Sequence, residues 1–214
     1  MSRYVTEFVG TFFLVFTIGL VVLDGTPMAP IAIGSVLMAM VYMGGHISGA
    51  HYTPAVSVAI LIRGKMKARE LAPYVTAQIS GAILASLAVM LIMGDTFAPA
   101  PDPEAGLVVV LLCEGLFTFA LSLVVLNVAT DDATVGNSYY GLAIGFTVLA
   151  GAFAVGAISG GAFNPAVGTG PILVDALAGD GSFGQLWIYW TGPLLGSVAA
   201  AGVYDLQHPS ETVA

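Results

Sequence analysis

Apolar residues run in long, nearly unbroken stretches along this chain, and polar residues gather in the short segments between them. Crossing a bilayer as an α-helix takes about 20 predominantly apolar residues. We predict six such spans, at residues 4–23, 28–43, 71–93, 107–128, 140–156 and 185–204. The stretches are continuous and do not alternate with polar positions, which argues against a transmembrane β-barrel.

Two related motifs interrupt this pattern, with the sequences SGAHYTPAV at residues 48–56 and SGGAFNPAV at residues 159–167. Each places a capping side chain, Thr53 or Asn164, directly before a proline, and this order is typical of a helix start. The apolar runs that follow, residues 54–62 and 165–176, are too short to cross a bilayer. We therefore predict two half-helices that enter the membrane and return.

The order of elements repeats, because residues 1–94 and residues 107–214 each contain a span, a span, a half-helix and a span. An odd number of spans in each half means that the second half starts on the opposite side of the membrane, so the repeat is inverted. The positive helix ends at Pro54 and Pro165 then meet near the midplane. The expected fold is a single all-α membrane domain, 1–214, with residues 95–106 as an exposed, Pro- and Ala-rich linker.

The composition agrees with a membrane protein: 57% of the residues are hydrophobic and 8% are charged, against about 25% charged in soluble domains. A net charge of -8 argues against binding to nucleic acid. The five cations all lie at position 3 or within residues 63–69, so the positive-inside rule places the N-terminus and that loop in the cytoplasm. We expect a multi-pass protein of the cell membrane with both termini cytoplasmic.

Several motifs resemble those of the aquaporins, the major intrinsic protein family. They are residues 45–51, 77–82, 159–166 and 187–194, together with Glu7 and Glu114 at matching points of the first and fourth spans. The resemblance covers nearly the whole chain. It implies six spans and two re-entrant half-helices, a pore in each subunit, a homotetramer, and a passive channel for water and small neutral solutes, without enzymatic activity or a cofactor.

The resemblance also implies a pore centre at the two helix starts, formed by Thr53, Pro54, Ala55, Asn164, Pro165 and Ala166. The family signature has Asn-Pro-Ala in both motifs, whereas this chain has Thr in the first. A threonine oxygen can cap the helix and leave one hydroxyl hydrogen for a passing water. In the alternative interpretation, Thr53 only caps the helix and Asn164 is the pore donor.

By the family's spacing, the narrow filter is formed by Ile33, Ala152, Gly161 and Val167. None of these side chains is charged or aromatic, and Val167 replaces the arginine found in most members. We therefore expect a filter that is wider and less polar than a water-only one. In this respect the chain is similar to the tonoplast intrinsic proteins, which pass water and often urea, ammonia or hydrogen peroxide; glycerol stays open. Alternatively, another side chain fills the gap and restores a narrow water pore.

Four ionisable side chains are candidates for bracing the re-entrant loops: Glu7, Glu114, His46 and His51. A carboxylate within a span costs about 2.5–3.5 kcal/mol on insertion scales, so each glutamate needs a partner. The resemblance suggests that the loops supply it. The two histidines lack a third ligand nearby, which argues against a metal site, whereas a role in pH gating stays open.

Two other functions compete with a passive channel. A transporter coupled to an ion gradient can also use an inverted repeat with broken helices, and Glu7 and Glu114 are then proton relays. A structural membrane protein, whose tetramers form junctions while the pore is closed, predicts ordered arrays and negligible permeability.

Overall fold

A computed structural model describes residues 1–209, and over this range the chain is helical. Six helices are long and apolar enough to span a membrane, and two shorter helices lie between them. The bounds of the eight are α1 Ser2–Asp24, α2 Ala29–Ser48, α3 Pro54–Ile62, α4 Ala68–Met93, α5 Leu107–Ala129, α6 Tyr140–Ser159, α7 Pro165–Ala178 and α8 Ile188–Gln207. The C-terminus, which was predicted to lie in the cytoplasm, is outside the described residues.

The two halves are interlocked through their short helices. Within each half, the first and last long helices pack together, α1 on α4 and α5 on α8. Each short helix, in contrast, packs against the last helix of the other half, α3 on α8 and α7 on α4, and α2 packs on α6. The short helices are therefore enclosed by the bundle, and their backbone ends are shielded from lipid, as a broken helix at membrane depth requires.

The contact between α2 and α6 depends on two glycines that face each other. A Cβ placed on Gly34 would lie 2.7 Å from the carbonyl oxygen of Gly145 and 2.6 Å from Cβ of Leu149. Any side chain at Gly34 would therefore push the two helices apart. Small residues at helix crossings allow this close backbone approach, which substitutes for a hydrophobic driving force within lipid.

The ends of the spans that precede the two motifs were placed too early. The second span was predicted to end at residue 43 and the fifth at residue 156, but α2 continues to Ser48 and α6 to Ser159. Both helices stop at a glycine in the left-handed region, Gly49 with φ 88° and Gly160 with φ 90°. The earlier glycines stay helical because a buried backbone at this depth satisfies its hydrogen bonds most readily within a helix.

The linker also differs from its prediction as an exposed connection. Phe97 has only 7% of its surface exposed, and the Asp102 amide donates to the Ile158 carbonyl at 3.0 Å. The Thr96 hydroxyl donates to the Asp175 carboxylate at 2.6 Å, next to the end of α7. The linker thus folds over one end of the bundle, which we call the linker end. An apolar phenylalanine gains more from this burial than from an exposed loop.

The opposite end, which we call the basic end, carries the Lys and Arg side chains. Ion pairs link its segments: Arg3 lies 3.4 Å from Glu70, and Lys65 lies 3.5 Å from Asp132. Exposed pairs of this kind contribute little to stability. They do establish that the N-terminus, the segment between α3 and α4, and the segment between α5 and α6 meet at the same end.

Candidate pore and its supporting network

The two short helices meet tip to tip. Thr53 and Asn164 are the N-caps of α3 and α7, and each side chain accepts a hydrogen bond from the second following amide, Ala55 N at 3.3 Å and Ala166 N at 2.8 Å. The Asn164 amide nitrogen also donates to the Tyr52 carbonyl, in the other half, at 2.9 Å. The predicted meeting of the two helix starts is therefore confirmed, with one direct hydrogen bond across it.

The segments that lead into these helices are folded in an unusual backbone conformation. Ala50, Tyr52 and Phe163 have φ values of 50°, 51° and 49°, in the left-handed region that non-glycine residues rarely adopt. The surroundings hold them there. The Tyr52 hydroxyl donates to the Met40 carbonyl at 2.8 Å, and its ring fills the space left by the missing side chain of Gly10.

Glu7 is the acceptor that holds the first segment. Its carboxylate is fully buried and accepts from the Ser48 hydroxyl at 2.7 Å and from the backbone amides of His51 at 3.0 Å and Tyr52 at 2.7 Å. The Gln78 side-chain amide adds a fourth bond at 2.8 Å. Such charge-assisted bonds are roughly twice as strong as neutral ones, so Glu7 ties α1 to the re-entrant segment.

Glu114 makes the corresponding contacts in the second half. It accepts from the Ser159 hydroxyl at 2.7 Å and from the backbone amides of Ala162 at 3.1 Å and Phe163 at 2.6 Å. One turn further along α5, the Thr118 hydroxyl donates to the Phe163 carbonyl at 3.1 Å. A buried carboxylate in each half thus satisfies the backbone donors that the left-handed turns leave without partners.

The two histidines are placed differently from each other. The Nδ1 atom of His51 lies 3.0 Å from the Ser57 hydroxyl, and its ring centre lies 4.9 Å from that of Tyr74. His46, which was predicted to brace the re-entrant loop, lies in the last turn of α2 because that helix continues beyond its predicted end. It is exposed there, and the hydrogen bonds among residues 1–209 do not connect it to the re-entrant segment.

A central cavity of about 360 Å³ contains the two helix starts. Both caps, Thr53 and Asn164, line it, and none of the described lining residues is Lys, Arg, Asp or Glu. The structure also brings the four predicted filter residues to this cavity: Ile33, Ala152, Gly161 and Val167. A molecule in it meets apolar walls with a few polar groups at the caps, a lining typical of small-molecule sites.

Sequence reasoning missed the contribution of the linker to this cavity. Phe97, Ala98, Pro99 and Ala100 line it beside the predicted filter. The available signal was Phe97, because a large apolar side chain is more often buried than exposed. Gly160 allows the approach: a Cβ there would lie 2.9 Å from the Ala100 amide nitrogen.

A second cavity, of about 650 Å³, opens at the basic end. Its wall includes Asp131, whose carboxylate accepts from the Ala133 amide at 2.7 Å and the Tyr204 hydroxyl at 2.9 Å, and pairs with His208 at 2.8 Å. These hydrogen bonds hold the pKa of the Asp131 carboxyl below its usual range. The segment after α5 is thereby fastened to the end of α8.

Comparison with known proteins gives consistent matches. The profile of a family described as "Major intrinsic protein" matches residues 1–204. "Aquaporin NIP1-1" of Zea mays is 38% identical over 216 residues, which cover 96% of this chain and 74% of that protein. "Nodulin-26" of Glycine max is 36% identical over 217 residues, which cover 96% of this chain and 78% of that protein.

A solved structure supports the fold. The X-ray structure of the aquaglyceroporin from Plasmodium falciparum superposes with a TM-score of 0.88 and covers 100% of this chain and 99% of that one. The sequence identity is 22%, so this likeness concerns the architecture alone.

Proposed function

The chain belongs to the major intrinsic protein family and is a membrane channel for water and small neutral solutes, not an enzyme; from this premise we propose that its pore passes between the tips of α3 and α7. The observation that carries the proposal is the hydrogen bond from Asn164 to the Tyr52 carbonyl, beside a cavity lined by both caps. A conducting path needs such a polar point within an otherwise apolar wall.

In this pore, the helix ends exclude cations. The amides at the start of α3 and α7 carry the positive ends of two helix dipoles, and both point at the same place. A cation there is repelled, and a water is held with its oxygen toward both caps, which interrupts proton transfer along the file. The six box residues named from sequence, Thr53 to Ala55 and Asn164 to Ala166, form this pore centre.

The chemistry of the predicted filter determines which kinds of solute can enter the channel. Ile33, Ala152, Gly161 and Val167 provide neither a fixed cation nor an aromatic ring. We therefore propose that urea, ammonia and hydrogen peroxide permeate with water. Glycerol, the largest of the candidate solutes, tests the upper size limit of the pore. The relatives named above are aquaporins of the nodulin-26-like group and not tonoplast intrinsic proteins. The predicted closeness to the tonoplast group is therefore unsupported, and the proposed solutes rest on the filter residues alone.

The bracing role proposed for Glu7 and Glu114 is supported by their contacts. Each carboxylate accepts at least three hydrogen bonds from the segment that leads into a short helix. A proton relay in a coupled transporter would need a proton acceptor along a path, whereas the partners of these carboxylates are hydrogen-bond donors. His51 joins the brace through Ser57, and His46 faces the basic-end cavity.

Assembly and placement complete the proposal. We propose a homotetramer in the cell membrane, with the basic end in the cytoplasm because the positive-inside rule retains Lys- and Arg-rich short loops there. The two halves, 1–94 and 107–214, form one domain joined by the linker 95–106. Chemical crosslinking in lipid vesicles would give a tetramer, and a protease added outside intact cells would spare the basic end.

The experiment that tests the function is osmotic swelling of liposomes that contain the purified protein, with empty liposomes as the control. We expect faster water flow, followed by measurable entry of urea and ammonia without an ion gradient. Uptake that saturates and requires such a gradient would favour a coupled transporter. Negligible permeability, together with ordered arrays in the membrane, would favour a structural junction protein.

A further inference from the structure

The two halves place equivalent residues on opposite sides of the helix tips. Position 53 in the first half corresponds to 164 in the second, 48 to 159, and 34 to 145, each pair 111 residues apart. The contacts agree: Ser48 and Ser159 each donate to a buried glutamate, and Gly34 and Gly145 face each other. Each residue of the predicted filter therefore has a counterpart toward the basic end.

Two of the equivalent positions toward the basic end carry larger side chains than their counterparts on the linker side. Ile33 corresponds to Ile144, so this position is equal on both sides. Ala152, in contrast, corresponds to Val41, and Ala162, which also lines the central cavity, corresponds to His51. We call Val41, His51 and Ile144 the basic-side ring. An isopropyl group and an imidazole ring stand there in place of two methyl groups.

The two cavities share lining residues from this ring and none from the predicted filter. The central cavity is lined by Pro99 of the linker, by Val167 and by the two caps. His51 and Ile144 line this cavity and also the basic-end cavity, whose wall includes Val41. The two cavities therefore adjoin at His51 and Ile144, and Val41 lies on the basic-end side of this boundary.

The His51 side chain is held firmly in this position. Ser57 engages its Nδ1 atom at 3.0 Å, and the ring of Tyr74 packs beside it. Its own backbone amide donates to Glu7 at 3.0 Å. Because the backbone is anchored and the ring contacts two neighbours, the side chain can change rotamer only by losing those contacts.

From these observations we infer that the basic-side ring of Val41, His51 and Ile144, and not the predicted filter, sets the size limit for solutes. The inference rests on the proposed function, since it concerns the pore proposed above. The filter at the linker end admits small neutral molecules, and the ring then separates them by width. The polar edge of His51 gives water a hydrogen-bond partner at this point.

The test uses two equivalent positions and one kind of change. Ile144→Ala and Ile33→Ala remove the same atoms on opposite sides of the helix tips, and both positions are buried. In proteoliposomes, we expect Ile144→Ala to raise the permeability to urea relative to water about fivefold, or about 1 kcal/mol in the barrier. We expect Ile33→Ala to change this ratio less than about twofold, or about 0.4 kcal/mol.

A second pair keeps the test decisive if one variant does not fold. Val41→Ala gives the ring the residue present at its counterpart, and Ala152→Val does the reverse. The ratio should rise with the first change and stay the same with the second. A larger effect at Ile33 or Ala152 than at Ile144 or Val41, equal effects on both sides, or no effect at any of the four would overturn the inference.

Water flow through the unmodified protein separates this failure from that of the proposed function. Liposomes that contain the unmodified protein and swell no faster than empty ones would refute the channel itself, and the inference with it. Normal water flow combined with any of the contrary ratios would refute the ring alone.

Discussion

The buried carboxylates offer the sharpest test of how the re-entrant segments are held. Glu114→Gln keeps the shape of the side chain and replaces one acceptor oxygen with a donor. The amide oxygen can still accept from Ser159 and Ala162, which share one carboxylate oxygen. The new amino group then faces the Phe163 amide, which loses the acceptor it had at 2.6 Å.

The magnitude follows from these contacts. Three charge-assisted hydrogen bonds contribute about 1.5–3 kcal/mol each, which exceeds the insertion cost of a carboxylate, about 2.5–3.5 kcal/mol. The glutamine keeps two neutral bonds of about 1 kcal/mol and leaves a buried amide unsatisfied at about 1–3 kcal/mol. We expect Glu114→Gln to lower the free energy of unfolding by about 2–4 kcal/mol.

Glu7→Gln should have a similar effect. Its amino group would face both the Tyr52 amide and Gln78. The Gln78 side-chain oxygen has no hydrogen-bond partner among the described residues. If the amide of Gln78 turns over, this oxygen can accept from the new group, and one backbone amide again remains unsatisfied.

The assay is a titration with denaturing detergent in mixed micelles, with helix content followed by circular dichroism. Glu104→Gln is the matched control, because this carboxylate is exposed in the linker, and we expect it to leave stability unchanged. Buried variants as stable as this control would refute the bracing role. If Glu7→Gln and Glu114→Gln are as stable as the unmodified protein but lose an uptake driven by an ion gradient, the two glutamates would instead act as proton relays.

Three further predictions concern the pore and the basic end. Val167→Arg should lower urea and glycerol permeability relative to water about tenfold, or about 1.4 kcal/mol; unchanged ratios in liposomes would contradict the filter assignment. Thr53→Asn should leave water flow within about twofold of the unmodified protein. As Asn164 donates to the Tyr52 carbonyl, the new Asn side chain should donate to the Phe163 carbonyl and raise the free energy of unfolding by about 0.5–1.5 kcal/mol. A loss of stability would contradict that hydrogen bond. Because the pKa of Asp131 is lowered from 3.8, its charged form stabilises the fold above that pH, and the contribution is lost as pH falls through the lower folded value. Thermal stability should therefore decline below about pH 4, and Asp131→Asn should flatten this decline; an equally steep decline in Asp131→Asn would refute the assignment.

Most of the helices could be predicted because each depends on local properties of the chain. A continuous apolar run has few alternatives to a helix in lipid, and Thr53-Pro54 and Asn164-Pro165 carry their start signals in adjacent residues. Helix ends were less accurate. The glycines before Ser48 suggested that the helix ends there. In the structure they remain helical, and the missing side chain of Gly44 leaves space for the ring of Tyr52.

The parts of the pore that come from distant segments could not be predicted residue by residue. The linker was expected to be exposed, since its prolines and alanines are typical of a connection, yet Phe97 and its neighbours line the central cavity. The contact of Asp131 with Tyr204 and His208 joins residues more than 70 positions apart, and no local pattern indicates it.

The sequence by itself determined the membrane class, the inverted repeat and the place where two helices begin, because hydropathy, span number and capping are properties of neighbouring residues. Only the tertiary structure decided which side chains face the same space. His51 and Ile144 lie 93 positions apart in the chain and are brought to one boundary by the packing of α2 against α6 and by the hydrogen bonds of the re-entrant segment. The width of a pore depends on such distances between backbones, which close helix packing fixes and sequence patterns do not encode.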